Sequence, residues 1–238
     1  MINAYFCKKC YISFFNAETR CKADVYVLYC EKFERNYIIC KNIFQNECLR
    51  GLGQEEGRII DVHAHILPGV DDGARDMDEA LKMLKCAASQ GIRAVIATPH
   101  YSRRRGVSGL ESLLDALQES IRKEYPDFVL YPGQETYYHK ELAECLNQGK
   151  ALTMAGSRYV LVEFDPGVSY EYLFRGIRSL LYAGYFPVLA HVERYGCLYR
   201  EERFAELNDA GCVYQMNYNS LEGRAEVRSQ TFWKYKLS

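Results

Sequence analysis

The sequence predicts an α/β protein built around a parallel sheet. Three observations carry this. From Arg58 onward, short β-forming runs alternate with segments of helical period, a pattern that favours parallel pairing. Six of these β runs occur, which fits a barrel or a doubly wound sheet; both place their sites at the carboxyl ends of strands. The chain has 238 residues, 48% hydrophobic and 26% charged, enough for one domain with a sizeable core, or one domain plus an appendage.

The elements follow in order. Ile60 and Val62 are β-formers, so Ile60-Asp61-Val62-His63-Ala64-His65 reads as the end of the first strand. Alternation then points His63 and His65 to one side, with Asp61 beside them. Pro68 and Gly69 mark a turn that carries Asp71 and Asp72. Asp76 caps the first helix with Glu79 three residues on; Met77, Leu81, Leu84 and Ala88 form its apolar stripe, and Gly91 ends it. Ala94-Val95-Ile96-Ala97 is the second strand. Leu110, Leu113, Leu114, Leu117 and Ile121 make the second helical stripe. Phe128-Val129-Leu130-Tyr131 is the third strand, and His139 to Asn147 a short helix. Tyr159-Val160-Leu161-Val162 is the fourth strand. Tyr170, Leu173, Phe174, Ile177, Leu180 and Leu181 repeat with helical period up to Gly184. Pro187-Val188-Leu189-Ala190 is the fifth strand, Phe204 to Ala210 a helix, and Cys212-Val213-Tyr214-Gln215-Met216 the sixth strand.

Residues 1–57 differ in texture. They are rich in Cys, Tyr, Phe, Asn and Lys, show no sustained period, and end in the linker-like Gly51-Leu52-Gly53-Gln54-Glu55-Glu56-Gly57. They are expected to be an extension outside the fold, with residues 58–238 forming the domain. Six of the ten cysteines lie here: Cys7, Cys10, Cys21, Cys30, Cys40 and Cys48. Cys7-x-x-Cys10 has the spacing of half a zinc site, but no second such pair exists. Cys86, Cys145, Cys197 and Cys212 sit among apolar neighbours and read as buried small hydrophobes.

Composition excludes several classes. A net charge of −1 without a basic run argues against a nucleic-acid partner; Arg103-Arg104-Arg105 reads as a solvated loop. No apolar stretch reaches the roughly 20 residues of a membrane span. Lys8 and Lys9 interrupt the apolar N-terminus, which makes a poor signal peptide, so a cytoplasmic location is expected.

The chemistry gathers at strand ends. The first strand ends in His63-Ala64-His65, the second in Thr98-Pro99-His100; the third runs into Pro132-Gly133-Gln134-Glu135, the fourth ends in Glu163-Phe164-Asp165, and the fifth in His191-Val192-Glu193-Arg194. Four of the five histidines stand at these ends. A lone strand-end Glu is more often a solvated charge, and a lone His a hydrogen-bonded structural residue. Consecutive ends all carrying His or Glu are much harder to obtain by chance. Imidazoles and carboxylates without thiolates suit Zn, Mn or Fe, and carboxylate bridges suit more than one ion. Such a site beside an arginine suits phosphate-ester hydrolysis. No Walker loop or Gly-x-Ser-x-Gly elbow is present.

The run from Ile60 to Gly73 resembles the opening of the bacterial metal-dependent protein-tyrosine phosphatases of the capsule-regulating type, in the polymerase-and-histidinol-phosphatase superfamily. Ala97-Thr98-Pro99-His100, Gly133-Gln134-Glu135, Val160-Leu161-Val162-Glu163-Phe164 and Ala190-His191-Val192-Glu193-Arg194-Tyr195 are similar to its later motifs. The resemblance covers roughly residues 59–222. It implies a distorted seven-stranded (β/α) barrel holding up to three divalent ions, manganese foremost, with zinc or iron as alternatives. It also implies a phosphotyrosine protein substrate, the tyrosine autokinase of polysaccharide export. By motif, one ion would take His63, His65 and Glu135, a second Glu135, Glu163 and His191, and a third Asp72 and His100. Arg194 would contact the phosphate, with His191 also placed in the catalytic set. Asp61 and Glu193 would be carboxylates that orient an imidazole.

The resemblance has a departure. The family closes its barrel with a strand finishing in Asp-x-His; here Asn219-Ser220-Leu221-Glu222-Gly223 leads to Arg224–Ser238 without one. An incomplete barrel with impaired activity is the resulting expectation. Two rival readings stand beside the phosphatase: a small-molecule phosphomonoesterase of the histidinol-phosphate type, and an inactive metal-binding remnant.

Overall fold

The computed structural model describes residues 59–104 and 106–216, together with three strands nearer the N-terminus. Those strands, β1 (Cys10–Phe14), β2 (Ala23–Cys30) and β3 (Arg35–Cys40), form an antiparallel sheet in the order β1-β2-β3. Cys10 stands opposite Val27, and Val25 opposite Cys40. Periodicity gave no sign of this sheet. The signal in Ala23–Cys30 is content rather than alternation, in Val25, Tyr26, Val27 and Tyr29. Cys7 and the Gly51–Gly57 linker lie outside the described residues.

The rest is a parallel α/β framework. β4 (Ile59–Ala64), β5 (Ile92–Ala97) and β6 (Val129–Pro132) form one sheet in that order. β7 (Glu135–Tyr137), β8 (Tyr159–Glu163), β9 (Phe186–Leu189) and β10 (Val213–Tyr214) form a second, again in chain order. All pairs are parallel. The two sheets meet where the chain leaves β5. His100 forms a parallel bridge with Glu135; Pro99 O accepts the Glu135 N–H (3.1 Å), and Glu135 O accepts the Tyr101 N–H (2.8 Å). Neighbours run in sequence without the reversal of order that defines a doubly wound sheet, so that alternative is set aside for the described residues.

The six expected strands are present, with ends shifted by a few residues. β7 is an addition. Its three residues are too short to show a period, and Glu135 therefore opens a strand rather than trailing from the third. The residues after Met216, where an Asp-x-His strand was sought, lie outside the described ones.

Helices cover the sheets as their stripes require. α1 (Met77–Ser89) and α2 (Leu110–Arg122) bury Leu84, Ala88, Leu117 and Ile121 over the first sheet. α3 (Leu142–Asn147), α4 (Tyr170–Tyr182) and α5 (Glu201–Asp209) bury Leu142, Leu173, Ile177 and Leu207 over the second. Asp76 accepts the Glu79 N–H (2.8 Å) as the cap. The Glu79 carboxylate reaches one residue further back than a capping box, to the N–H (2.8 Å) and Nε (2.9 Å) of Arg75. α3 starts later than expected because His139 sits in a turn whose carbonyl takes the Leu142 N–H (3.0 Å). Of the four cysteines read as buried, only Cys212 is; Cys86, Cys145 and Cys197 are half-buried. Cys86 and Cys145 lie on stripe flanks, where polar partners reach them: Gln90 Nε2 donates to Cys86 Sγ (3.2 Å), and the Tyr101 hydroxyl to Cys145 Sγ (3.9 Å); Cys197 lies in a 3-10 turn. No helix among the described residues is long and apolar enough to cross a membrane.

One close approach is specific. A Cβ on Gly176 of α4 would lie 2.8 Å from Phe164 Cε1 and Cζ and 3.0 Å from Tyr138 Cε1. Alanine would gain about 1 kcal/mol of helix propensity. The collision with two stacked rings, however, is of the overpacking kind that costs about 1–3 kcal/mol. Gly176→Ala is therefore expected to lower the urea midpoint, and a raised midpoint would refute this packing.

Candidate metal centre

Short-range contacts lock the strand ends that carry the polar residues. The buried Thr98 hydroxyl accepts the Ala64 N–H (2.9 Å), and the Thr98 N–H donates to Ala64 O (2.8 Å). The ends of β4 and β5 are thereby fixed to each other. After His65 the chain folds back tightly: a Cβ on Gly73 would lie 2.1 Å from His65 O, so only glycine fits there. Gly133 similarly lets the Glu135 segment pass close to Ile96, whose Cγ2 would be 2.9 Å from an added Cβ. The buried Gln134 amide ties two loops together, donating to Gly106 O (3.0 Å) and accepting the Leu152 N–H (2.9 Å). Past β9, residues 192–194 form a 3-10 turn that turns Arg194 back toward the strand ends. The Tyr195 hydroxyl anchors that turn by accepting the Phe164 N–H (2.9 Å).

At the centre stands Glu135, whose side chain is 0% exposed. Its Oε2 lies 3.3 Å from His63 Nε2, 3.1 Å from His65 Nε2 and 3.2 Å from His100 Nδ1; its Oε1 lies 3.0 Å from His191 Nε2. Four imidazoles from β4, the β5 exit and the β9 exit thus converge on one carboxylate. Yet neither oxygen makes a hydrogen bond of good geometry. The His63 and His65 Nε2 atoms also face each other at 3.2 Å. Two ring nitrogens and a carboxylate aimed at one point need a cation between them, and this donor set suits a divalent transition metal.

Among the described residues, three groups could hold an ion, with ligand atoms within 4.8 Å of one another: His63, His65 and Glu135; His100, Glu135 and Glu163; and His65, Asp72 and His100. All the metal-ligating candidates therefore sit at one end of the framework, together with Arg194. The grouping differs from the motif-based one at Glu163, which assembles with His100 where His191 was expected. Its Oε1 lies 3.4 Å from Arg194 Nη1. The centre opens on one side, with His100 45%, Asp72 79% and Arg194 48% exposed.

Two contacts escaped the sequence reading. Asp71, next to the candidate Asp72, is the carboxylate that orients an imidazole. Its Oδ2 accepts from His65 Nδ1 (2.6 Å) and from the His100 N–H (2.9 Å), and its Oδ1 from the Gly73 N–H (2.9 Å). Gln215, in the chain leaving β10, places Oε1 3.0 Å from His63 Nδ1. The Asp-Asp pair was visible as a turn, but nothing in it tells which member points inward. Asp61 accepts the backbone N–H of His63 (3.0 Å).

Electrostatics follow this packing. Burial lowers the His65 pKa, but the hydrogen bond to Asp71 and the adjacent Asp71 and Glu135 carboxylates outweigh it and raise it to about 9. Burial acts upward on Asp71, and the His65 contact overcomes it, holding the carboxyl down at about 2. Burial would likewise raise Glu135, but the imidazoles of His63, His191 and His65 hold it well below the carboxylate range. Burial pushes the His191 imidazole down, opposed by the adjacent Glu135 carboxylate.

Parallel strands whose exits aim histidines and carboxylates at one point, with an arginine on the open side, define an α/β metallohydrolase. Comparison with known proteins gives the lineage. Residues 59–238 match the family model described as capsular polysaccharide synthesis, CpsB/CapC. The tyrosine-protein phosphatase CpsB of Streptococcus pneumoniae is 36% identical over 166 residues, 67% of this chain and 67% of that one. The tyrosine-protein phosphatase YwqE of Bacillus subtilis is 34% identical over 173 residues, 69% of this chain and 66% of its own. Among solved structures, a chain from the crystal structures of YwqE and CpsB, described as unique metal-dependent tyrosine phosphatases, superposes with a TM-score of 0.66 at 31% identity, covering 74% of this chain and 73% of that one. The chain belongs to the CpsB/CapC family.

The raised His65 pKa has a measurable consequence. Below about 9 the metal-free imidazole carries a proton that an ion at Nε2 must displace. Divalent-ion binding at pH 7.5 should release about one proton from this residue, as read by calorimetry in buffers of differing ionisation enthalpy. Apparent affinity should rise with pH up to about 9. The metal-free protein should respond oppositely. A raised folded-state pKa contributes stability in full below the ordinary value of 6.5, and that contribution is lost as pH climbs through about 9.

Proposed function

We propose that this chain is a metal-dependent phosphatase that removes phosphate from protein phosphotyrosine. The observation that carries it is the convergence of His63, His65, His100 and His191 on the buried Glu135, with Arg194 at the open side. Membership of a family whose relatives are named tyrosine-protein phosphatases favours this substrate class over a small phosphomonoester. The motif-based ligand sets form part of the proposal: His63, His65 and Glu135 for one ion, Glu135, Glu163 and His191 for a second, Asp72 and His100 for a third. Manganese is the proposed metal, the family's distorted seven-stranded barrel the proposed architecture, a bacterial tyrosine autokinase the proposed partner, and the cytoplasm the proposed location.

The donor atoms fit such ions: the buried carboxylate has no hydrogen bond, and two ring nitrogens face each other beside it at 3.2 Å. When bound, the ions supply Lewis-acid charge for the phosphoryl oxygens and for an attacking water. The protein's own residues do the positioning. Asp71 holds the His65 ring through Nδ1, so that Nε2 faces the centre. Glu163 steadies the Arg194 guanidinium, whose planar fork is suited to two phosphoryl oxygens at once. The open side at His100 and Asp72 admits a side chain carried on a protein.

Arg194→Lys keeps the charge and loses the fork. Removing one charge-assisted hydrogen bond, about 1.5–3 kcal/mol, should cut kcat/KM on a phosphotyrosine peptide about 10- to 100-fold with metal content unchanged. Full activity in that variant would remove the phosphate role. Faster turnover of histidinol phosphate than of the peptide would favour the small-molecule reading.

The division at residue 57 is also proposed. Deleting residues 1–57 should leave manganese binding to the remainder unchanged, as measured by equilibrium dialysis. Zinc bound by the full chain and lost on that deletion would make the cysteine-rich segment a metal module.

A further inference from the structure

We infer that Gln215 is a positioning residue of the metal centre: it fixes the tautomer of His63 and couples that ring to the His191 turn. The inference rests on the metallophosphatase reading, but its geometry is its own. Gln215 is 1% exposed and lies just past β10. Its Oε1 accepts the backbone N–H of His191 (2.9 Å) and lies 3.0 Å from His63 Nδ1.

A backbone N–H can only donate, so the amide atom facing it must be the oxygen. The amide orientation is therefore settled by its partner. An amide oxygen can only accept, so His63 Nδ1 must carry the proton. In the neutral ring Nε2 then bears the lone pair, and it is Nε2 that faces Glu135 Oε2 (3.3 Å) and His65 Nε2 (3.2 Å). With the other tautomer, Nδ1 and Oε1 would meet lone pair to lone pair in a buried place, and Nε2 would aim a proton where the cation belongs. Asp71 does the same for His65 through Nδ1. The first ion's two imidazoles are thus set by different partners, one anionic and one neutral.

The same oxygen stabilises an unusual backbone. His191 has φ 52° and ψ 45°, a left-handed conformation costly for a residue with a Cβ. Its N–H is satisfied by Gln215 Oε1, and the Val192 N–H by Gln215 O (2.9 Å). Gln215 N–H in turn donates to Leu189 O (2.9 Å), which holds the residue beside β9. β4 and β10 are the outer strands of their sheets among the described residues. The Gln215 side chain, in the chain leaving β10, therefore joins His63 of β4 to His191 past β9 at the depth of the metal ligands.

The test uses the full chain with zinc as a diamagnetic probe. Gln215→Leu cannot accept either hydrogen bond and should weaken zinc binding about 10- to 100-fold, the usual loss when the partner of a ligating histidine is removed. Gln215→Glu keeps an acceptor in the same place and should stay within about threefold of the parent. In the zinc-loaded parent, 15N NMR should show a one-bond proton coupling at His63 Nδ1. Should Gln215→Leu fail to fold, the parent spectrum and the Glu variant still decide. An unprotonated His63 Nδ1 in the parent, a Leu variant binding as tightly as the parent, a Glu variant as weak as the Leu variant, or a parent that binds no zinc would each overturn the inference. A parent that binds zinc with this tautomer yet hydrolyses no phosphotyrosine peptide would refute the phosphatase reading and leave the role of Gln215 standing.

Discussion

A buried carboxylate must be compensated, and that constraint shapes this half of the molecule. Glu135 is wholly out of solvent, where an unpaired anion costs several kcal/mol. The compensation comes from side chains on elements far apart in sequence: His63 and His65 from β4, His100 from the β5 exit, His191 from the β9 exit. Each must reach the same point, so the strands must be parallel and their carboxyl ends level. The sequential order of the strands, the His100–Glu135 bridge and the tight passages at Gly73 and Gly133 are what that convergence requires. The imidazoles alone satisfy Glu135 poorly, because none of their contacts gives either carboxylate oxygen a well-formed hydrogen bond. A divalent cation satisfies carboxylate and rings together.

The centre is graded from closed to open. His63 and His191 stand on the closed side, buried among β4, β9 and the residue after β10. His100, Asp72 and Arg194 stand on the open side. A group entering from solvent therefore meets the arginine and the exposed His-Asp pair before the buried carboxylate. This order suits a phosphoryl group presented on a protein surface: the fork can engage its oxygens while the closed side keeps its ligands fixed.

The helices and most strands were legible because each has either a helical stripe or a compact β run. The site residues were legible for a related reason. Polar side chains that interrupt apolar runs at strand ends stand out against a core-forming pattern, as at His63, His65, His100, Glu163 and His191. What stayed hidden lacks such contrast. β7 is three residues long and shows no period. Asp71 and Asp72 are chemically identical in the sequence, and only the turn closed by Gly73 sends Asp71 inward to His65. Glu163 also gathers with His100 and Glu135, a grouping that depends on how the separate strand exits assemble and that no local pattern encodes. In the N-terminal strands, β-forming content was present without alternation, and alternation was the signal sought.

Gln215 is the extreme case. It is a neutral amide 152 residues from the ring it orients, in a strand end that otherwise reads as core. Its choice over a carboxylate has a physical sense. The centre already gathers Glu135, Asp71, Glu163 and Asp72 around its imidazoles, with Arg194 as the guanidinium facing Glu163. In the metal-free protein a further anion behind His63 would add repulsion toward Glu135 in the most buried part of the site, a cost that a bound divalent ion would offset. An amide oxygen fixes the same tautomer without that cost. Anionic support is placed instead at His65, where the Asp71 carboxylate is met by the ring it orients and by the backbone N–H groups of Gly73 and His100.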